Sequence, residues 1–339
     1  MAASSVSASS ERRVLVISPG WIGDAIMSMP AVQQFQASHP EAIISVLSKP
    51  NLRSLWRMNP VVRQQLTYAG TWATTTAIQR RAFHEAYLFP NSVRSALLPW
   101  LAAVPERVGF AGHWRRWLLT RIATAPTAPT HQHQSWEYAA ILSATASSLP
   151  QPRLDIPMMM RSQAEQRVSG LAHPLIGLLP GAARGPAKRW PVERFAETAK
   201  TLCTQTGGGL LLMGGVADTN SCATIAAAVG HQALNVAGST AIPEWAALLA
   251  LCDVVLCNDS GGMHLAAAVG APVVAIFGIT DPARTGPLGT NCCILQHSTT
   301  KTRAVPRNSG EADAALAAVS SAEVIAAVLE KLDRGVHHA

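Results

Sequence analysis

No apolar stretch in the chain reaches the ~18 residues that a membrane-spanning helix needs. Charge is sparse at 14% and hydrophobic content is 48%, which excludes an intrinsically disordered chain. The six cysteines, adjacent Cys292 and Cys293 included, form no CxxC pair and no metal-ligand spacing. They read as buried or half-buried thiols of a reducing cytoplasm. His131, His133, His337 and His338 read as loop and tail residues. No GxxxxGK[ST] occurs, and "SPGWIGDA" after the first strand has the wrong spacing for GxGxxG. A nicotinamide or flavin enzyme is thereby disfavoured. "MAASSVSASSERR" runs into "VLVIS" and then Pro-Gly, too short an apolar run for a secretion leader. Residues 1–12 are expected to be a disordered tail. The sequon Asn258-Asp259-Ser260 carries no weight without such a leader.

With 339 residues the chain has room for two domains with full cores. Its net charge of +7 is unevenly placed. Through Pro150 there are 13 Lys and Arg against 6 Asp and Glu; from Gln151 onward the count is 14 against 14. The first half therefore either faces something anionic (nucleic acid, a phosphorylated substrate, an acidic membrane) or wears a solubilising surface. Short apolar runs, "RVLVIS", "AIISVLS" and "EAYLFP", alternate with helical stretches. A second series follows through "PLIGLLP", "GLLLMGG", "DVVLCND" and "PVVAIFG". "ATAPTAPTHQHQS" reads as a surface loop, and "SAEVIAAVLEKLDRG" as a closing amphipathic helix. This is an α/β pattern of two doubly wound parallel units. The first is expected over 13–165 and the second over 166–335. Ligands of such sheets sit at the carboxyl ends of the strands.

Three strand-to-helix junctions concentrate the polar chemistry. In "SPGWIGDAIMS", Asp24 falls in the first helical turn, where it either complements the helix dipole or serves as a general base. The dipole lowers its pKa, so basicity would require desolvation. In "LPGAARGPAKRWPVERF", Gly181, Gly185 and two prolines make a rigid loop, and Pro191 suits the first helical turn. Lys188 and Arg189 stand before a helix whose dipole they oppose, which an anionic ligand would explain. In "CNDSGGMH", Asp259 or Ser260 can cap the next helix while Gly261 and Gly262 leave N–H groups unobstructed. That is a seat for a diphosphate, with His264 one turn in as a donor.

These segments, with "FPNSVRSALLPWLAAVPERVGF", "LLMGG" and "TDPARTGPLG", resemble the heptosyltransferases of glycosyltransferase family 9 over nearly the whole chain after the tail. GPAKRWP followed by NDSGxMH is specific to them. "NSVRSALLP" and "RVGFAG" favour the branch that adds the second heptose over the first. The resemblance implies a GT-B fold, two Rossmann-like doubly wound parallel-sheet domains facing across a cleft. The N-terminal domain would bind a lipid A-linked inner-core acceptor, and the C-terminal domain ADP-L-glycero-β-D-manno-heptose. Asp24 matches the general base and Lys188 the lysine on the donor diphosphate. Gly181, Asp259, Ser260, Gly261, Gly262 and His264 match the donor site.

The resemblance implies an inverting transfer of heptose to the first heptose of the lipopolysaccharide inner core. No cofactor is required, and any Mg2+ would accompany the nucleotide. Acceptor contacts are expected from Asn91, Arg94, Arg115 and Arg116. The tryptophans of "HWRRWLLTR" suit a membrane interface, although an ordinary solvated helix reads the same. The enzyme would be cytoplasmic, peripheral to the inner membrane and without nucleic acid partners. Ala183 and Arg184 stand where second heptosyltransferases often carry an acid and an aromatic, which leaves donor-sugar selectivity open. The alternatives are another heptose or surface-glycan acceptor, or a non-catalytic nucleotide-sugar-binding protein; an NAD-dependent oxidoreductase is less favoured.

Overall fold

A computed structural model of the chain describes residues 11–127, 132–143, 148–303, 305–306 and 308–336. Residues 1–10, His131, His337 and His338 lie outside the described residues. By contact the chain forms two compact units. Among the described residues, the first comprises 11–20, 28–127 and 135–150, and the second comprises 21–27, 132–134 and those from 151 onward.

In the first unit the strands are β1 (Arg12–Ile17), β2 (Ala42–Ser48), β3 (Gln64–Thr67), β4 (Glu85–Leu88), β5 (Glu106–Gly109) and β6 (Arg121–Ile122). They form one sheet in the order β3-β2-β1-β4-β5-β6, every pairing parallel. The first strand starts at Arg12, one residue inside the segment expected to be tail. In the second unit the strands are β7 (Leu175–Leu179), β8 (Gly209–Leu212), β9 (Ala233–Asn235), β10 (Val254–Asn258), β11 (Val273–Ile276) and β12 (Cys292–Leu295). Their order is β12-β11-β10-β7-β8-β9, again all parallel. Read from the opposite edge, the two orders are the same doubly wound order.

Burial explains why these runs become parallel strands. In β7, β8, β10 and β11 every residue is buried, as required where helices cover both faces of a sheet. The core of the first unit gathers Leu15, Ile17, Leu47, Leu66, Ile78, Leu88 and Leu98. That of the second gathers Ile176, Leu178, Phe195, Leu210, Val254, Leu256 and Val274. The helix Gly310–Ala318, the residue that caps its end and the helix Ser321–Val336 add Leu316, Val319, Val324 and Val328 to this core. Among the described residues no single helix is long and apolar enough to cross a membrane.

Candidate active site

Each sheet reverses its winding once, between β1 and β4 in the first unit and between β7 and β10 in the second. Loops that leave adjacent strands at such a point diverge, and a ligand-sized crevice opens at the carboxyl ends. Most of the residues singled out in the sequence fall at these ends, whereas Arg115 and Arg116 follow β5. Gly181 and Lys188 follow β7, and Asp259 to His264 follow β10. Asn91 and Arg94 follow β4, and Asp24 follows β1.

The loop after β7 is anchored by its tryptophan. Trp190 is 2% exposed, meets Phe195 edge-on at 4.9 Å, and donates from Nε1 to Val319 O at 3.0 Å. Asn258, the last residue of β10, ties the same loop to the sheet. Its Oδ1 accepts from Trp190 N at 3.0 Å and its Nδ2 donates to Pro180 O at 2.7 Å. Sequence reasoning passed over Asn258 as a structural tie; the available signal was an amide ending an apolar strand, and folding buries it fully. Thus pinned, the turn Pro186–Lys188 and the residue after it display their cations, and each meets a carboxylate. Lys188 Nζ donates to Asp259 Oδ2, and Arg189 donates to Asp218 Oδ1 at 3.1 Å. Asp218 also accepts from Gly215 N at 3.0 Å. A Cβ at Gly181 would collide with the Asp218 carboxylate, which would have to leave its place beside Arg189 and Gly215 N.

Ser260 occupies the N-cap of the helix Gly261–Ala268, but its side chain makes no capping bond. Asp259 is turned to Lys188 instead. The two glycines that follow serve close packing. A Cβ on Gly261 would lie 3.0 Å from Ile22 Cβ, and one on Gly262 would lie 2.9 Å from Leu179 Cδ1 and 3.0 Å from the Trp245 ring. His264 is buried at 4%, and its Nδ1 has no partner among the described residues. Burial first, then His133 and Lys188, lowers its pKa to about 3. It is a neutral imidazole near pH 7, able to donate one hydrogen bond but carrying no charge.

Asp24 belongs by contact to the second unit, within Trp21–Met27. Its Oδ1 accepts from Gln134 Nε2 at 3.3 Å. Burial raises its pKa; the charge of Arg184, the Gln134 bond and the charges of Lys188 and Arg303 oppose that rise without cancelling it. Desolvation therefore outweighs the factors that favour the ionised form. The same balance gives Arg184 a part that the sequence left open, as the largest of the opposing influences. Gln134, 110 residues away, left no sequence signal.

Asn91, Arg94 and Arg116 are exposed. Arg115 is different. It is fully buried, donating from Nε to Phe110 O at 2.8 Å and from Nη1 to Pro90 O and to Ser95 Oγ, the latter at 3.3 Å. Its guanidinium is engaged inside its own unit and does not reach solvent. Among the described residues no group of three or more His, Cys, Asp or Glu side chains converges as a metal site. All six cysteines are free, four of them buried, and burial raises Cys222 to about 12 and Cys292 to about 11. These two are thiols at neutral pH.

Residues 71–312 match the model of glycosyltransferase family 9 (heptosyltransferase). The chain is 34% identical over 307 residues to lipopolysaccharide heptosyltransferase 2 of Escherichia coli (strain K12), covering 84% of this chain and 88% of that protein. It is 31% identical over 305 residues to lipooligosaccharide heptosyltransferase 2 of Haemophilus influenzae, with the same coverage of 84% and 88%. The solved structure of E. coli ADP-heptose LPS heptosyltransferase II matches with a TM-score of 0.83 at 29% identity, covering 95% of this chain and 99% of that one.

Proposed function

The chain belongs to glycosyltransferase family 9, and from that premise we propose that it moves L-glycero-D-manno-heptose from ADP-heptose to the first heptose of a lipopolysaccharide inner core. It is a glycosyltransferase with the α/β, GT-B-like architecture of its relatives. The observation that carries the finer reading is the grouping of one desolvated carboxylate, Asp24, with the cation Lys188 inside the second unit.

In the proposed reaction an acceptor hydroxyl gives its proton to Asp24 as its oxygen attacks the anomeric carbon. The bond from that carbon to the diphosphate oxygen breaks, ADP leaves with the electron pair, and the configuration inverts. Negative charge grows on the departing diphosphate. Lys188 and the N–H groups at Gly261 and Gly262 would hold it more tightly in the transition state than in the substrate. Lys188 would exchange Asp259 for the phosphate oxygens as the donor enters. His264 would contribute as a neutral donor. Gly181 would act by leaving room for Asp218.

Asn91, Arg94 and Arg116 would meet acceptor carboxylates and phosphates; Arg115 would support them from within. No resident metal is proposed, and any Mg2+ would arrive with the nucleotide. The lipid-linked acceptor would place the enzyme at the cytoplasmic face of the inner membrane as a peripheral protein.

The test is a transfer assay with purified ADP-heptose and two acceptors, one ending in the first heptose and one lacking it. The reading expects a single heptose added to the first acceptor alone. Transfer to the shorter acceptor, or none to either, would contradict it.

A further inference from the structure

Two arginines fix one surface segment of the first unit from the inside. Arg107 donates from Nε to Leu118 O at 2.8 Å and from Nη1 to Val104 O at 2.5 Å. Buried Arg115 donates to Phe110 O at 2.8 Å and to Pro90 O. The segment consists of two short helical turns, Gly112–Arg115 and Arg116–Leu118, too brief to persist on their own bonds. The guanidinium groups supply the missing rigidity.

What is held rigid points outward. Trp114 is 88% exposed and Trp117 is 85% exposed, with exposed Arg116 between them. Trp114 has φ +57°, a left-handed conformation that a bulky side chain adopts only at a cost. The helix Val93–Leu101 packs against the segment and begins with exposed Val93 and Arg94. From Phe89 to Arg121 the chain contains one carboxylate, Glu106, and Arg121 pairs with it at 2.9 Å. The face is aromatic and cationic, with no unpaired acid along this stretch.

We propose that Trp114, Arg116 and Trp117 dock the first unit on an anionic lipid bilayer. Indoles favour the headgroup layer, where the ring is apolar and its N–H remains hydrated. Arginine beside them is drawn to anionic headgroups. A sugar-stacking platform is the rival occupant, but such sites are concave and bury their ligand, whereas these rings stand almost wholly in solvent. The proposal deepens the peripheral location given above and rests on it only for the choice of membrane. Its test needs neither donor nor acceptor.

The full chain is floated with vesicles containing phosphatidylglycerol and with vesicles of phosphatidylcholine alone. The wild type is expected to bind the anionic vesicles, more weakly at high salt, and to leave the neutral ones largely unbound. Trp114→Ser/Trp117→Ser is expected to lose about tenfold or more of that binding, and Arg116→Glu to lower it independently. The tryptophan variant should retain wild-type thermal stability and wild-type transfer to a lipid-free acceptor. Equal binding by wild type and the tryptophan variant, or no binding by either, overturns the proposal. Intact vesicle binding with lost transfer to the lipid-free acceptor assigns the indoles to sugar instead and also overturns it. Absence of transfer by the wild type, with vesicle binding as expected, would contradict the transferase reading alone.

Discussion

Lys188 donates from its ammonium to Asp259, and the pair is nearly sealed, with side chains 12% and 8% exposed. Removing one partner of such a pair leaves the other charge buried and unmatched, which typically costs about 3–5 kcal/mol. Lys188→Ala should therefore lower thermal stability as well as donor affinity. The lost charge-assisted contact alone corresponds to about 1.5–3 kcal/mol, or roughly 10- to 150-fold in the dissociation constant. Lys188→Met/Asp259→Asn separates the two effects. It should recover stability without recovering affinity, as read by thermal unfolding and by titration with ADP-heptose.

Asp24→Asn should leave donor affinity within a few-fold and reduce transfer by about 100-fold or more. Its effect on stability has a definite sign. A carboxyl whose folded pKa is raised binds more protons folded than unfolded in the window between the two values. Stability therefore falls as pH rises through that window and stays reduced above it. The asparagine variant escapes this loss and should melt about 2–4 °C higher at neutral pH for each kcal/mol relieved. Calorimetry at neutral and at acidic pH checks it, because the advantage should shrink on acidification.

Arg184 and Gln134 both favour the ionised form of Asp24. Arg184→Met and Gln134→Leu should each raise its pKa further and move the acidic limb of the kcat/KM profile to higher pH. His264, with its pKa lowered to about 3, should supply no limb of its own near neutrality. Profiles of the wild type and the two variants on one acceptor decide the matter.

At Gly23, a Cβ would lie 2.8 Å from His264 Cδ2 and 3.6 Å from Gly261 Cα. Helix propensity alone would make Gly23→Ala stabilising by about 1 kcal/mol. Overpacking against a buried ring costs about 1–3 kcal/mol and should prevail. The variant is expected to melt lower and to bind donor more weakly, since His264 must shift.

The fold was legible because parallel strands buried on both faces leave unbroken apolar runs, and Pro-Gly follows closely on both β1 and β7. The cations and glycines of the second unit were legible because short loops at strand ends carry them in order. Gln134 was not, since only folding brings it to Asp24 across 110 residues. Nor was the burial of Arg115. A helical turn of four residues has no periodicity from which to read an inward face.

The most direct measurement is a structure of the protein with ADP-heptose bound. The account predicts a diphosphate oxygen within about 3.2 Å of Lys188 Nζ and of an amide at Gly261 or Gly262, with Asp24 facing the anomeric carbon. A diphosphate seated away from Lys188, or an Asp24 carboxylate turned away from the sugar, would contradict it.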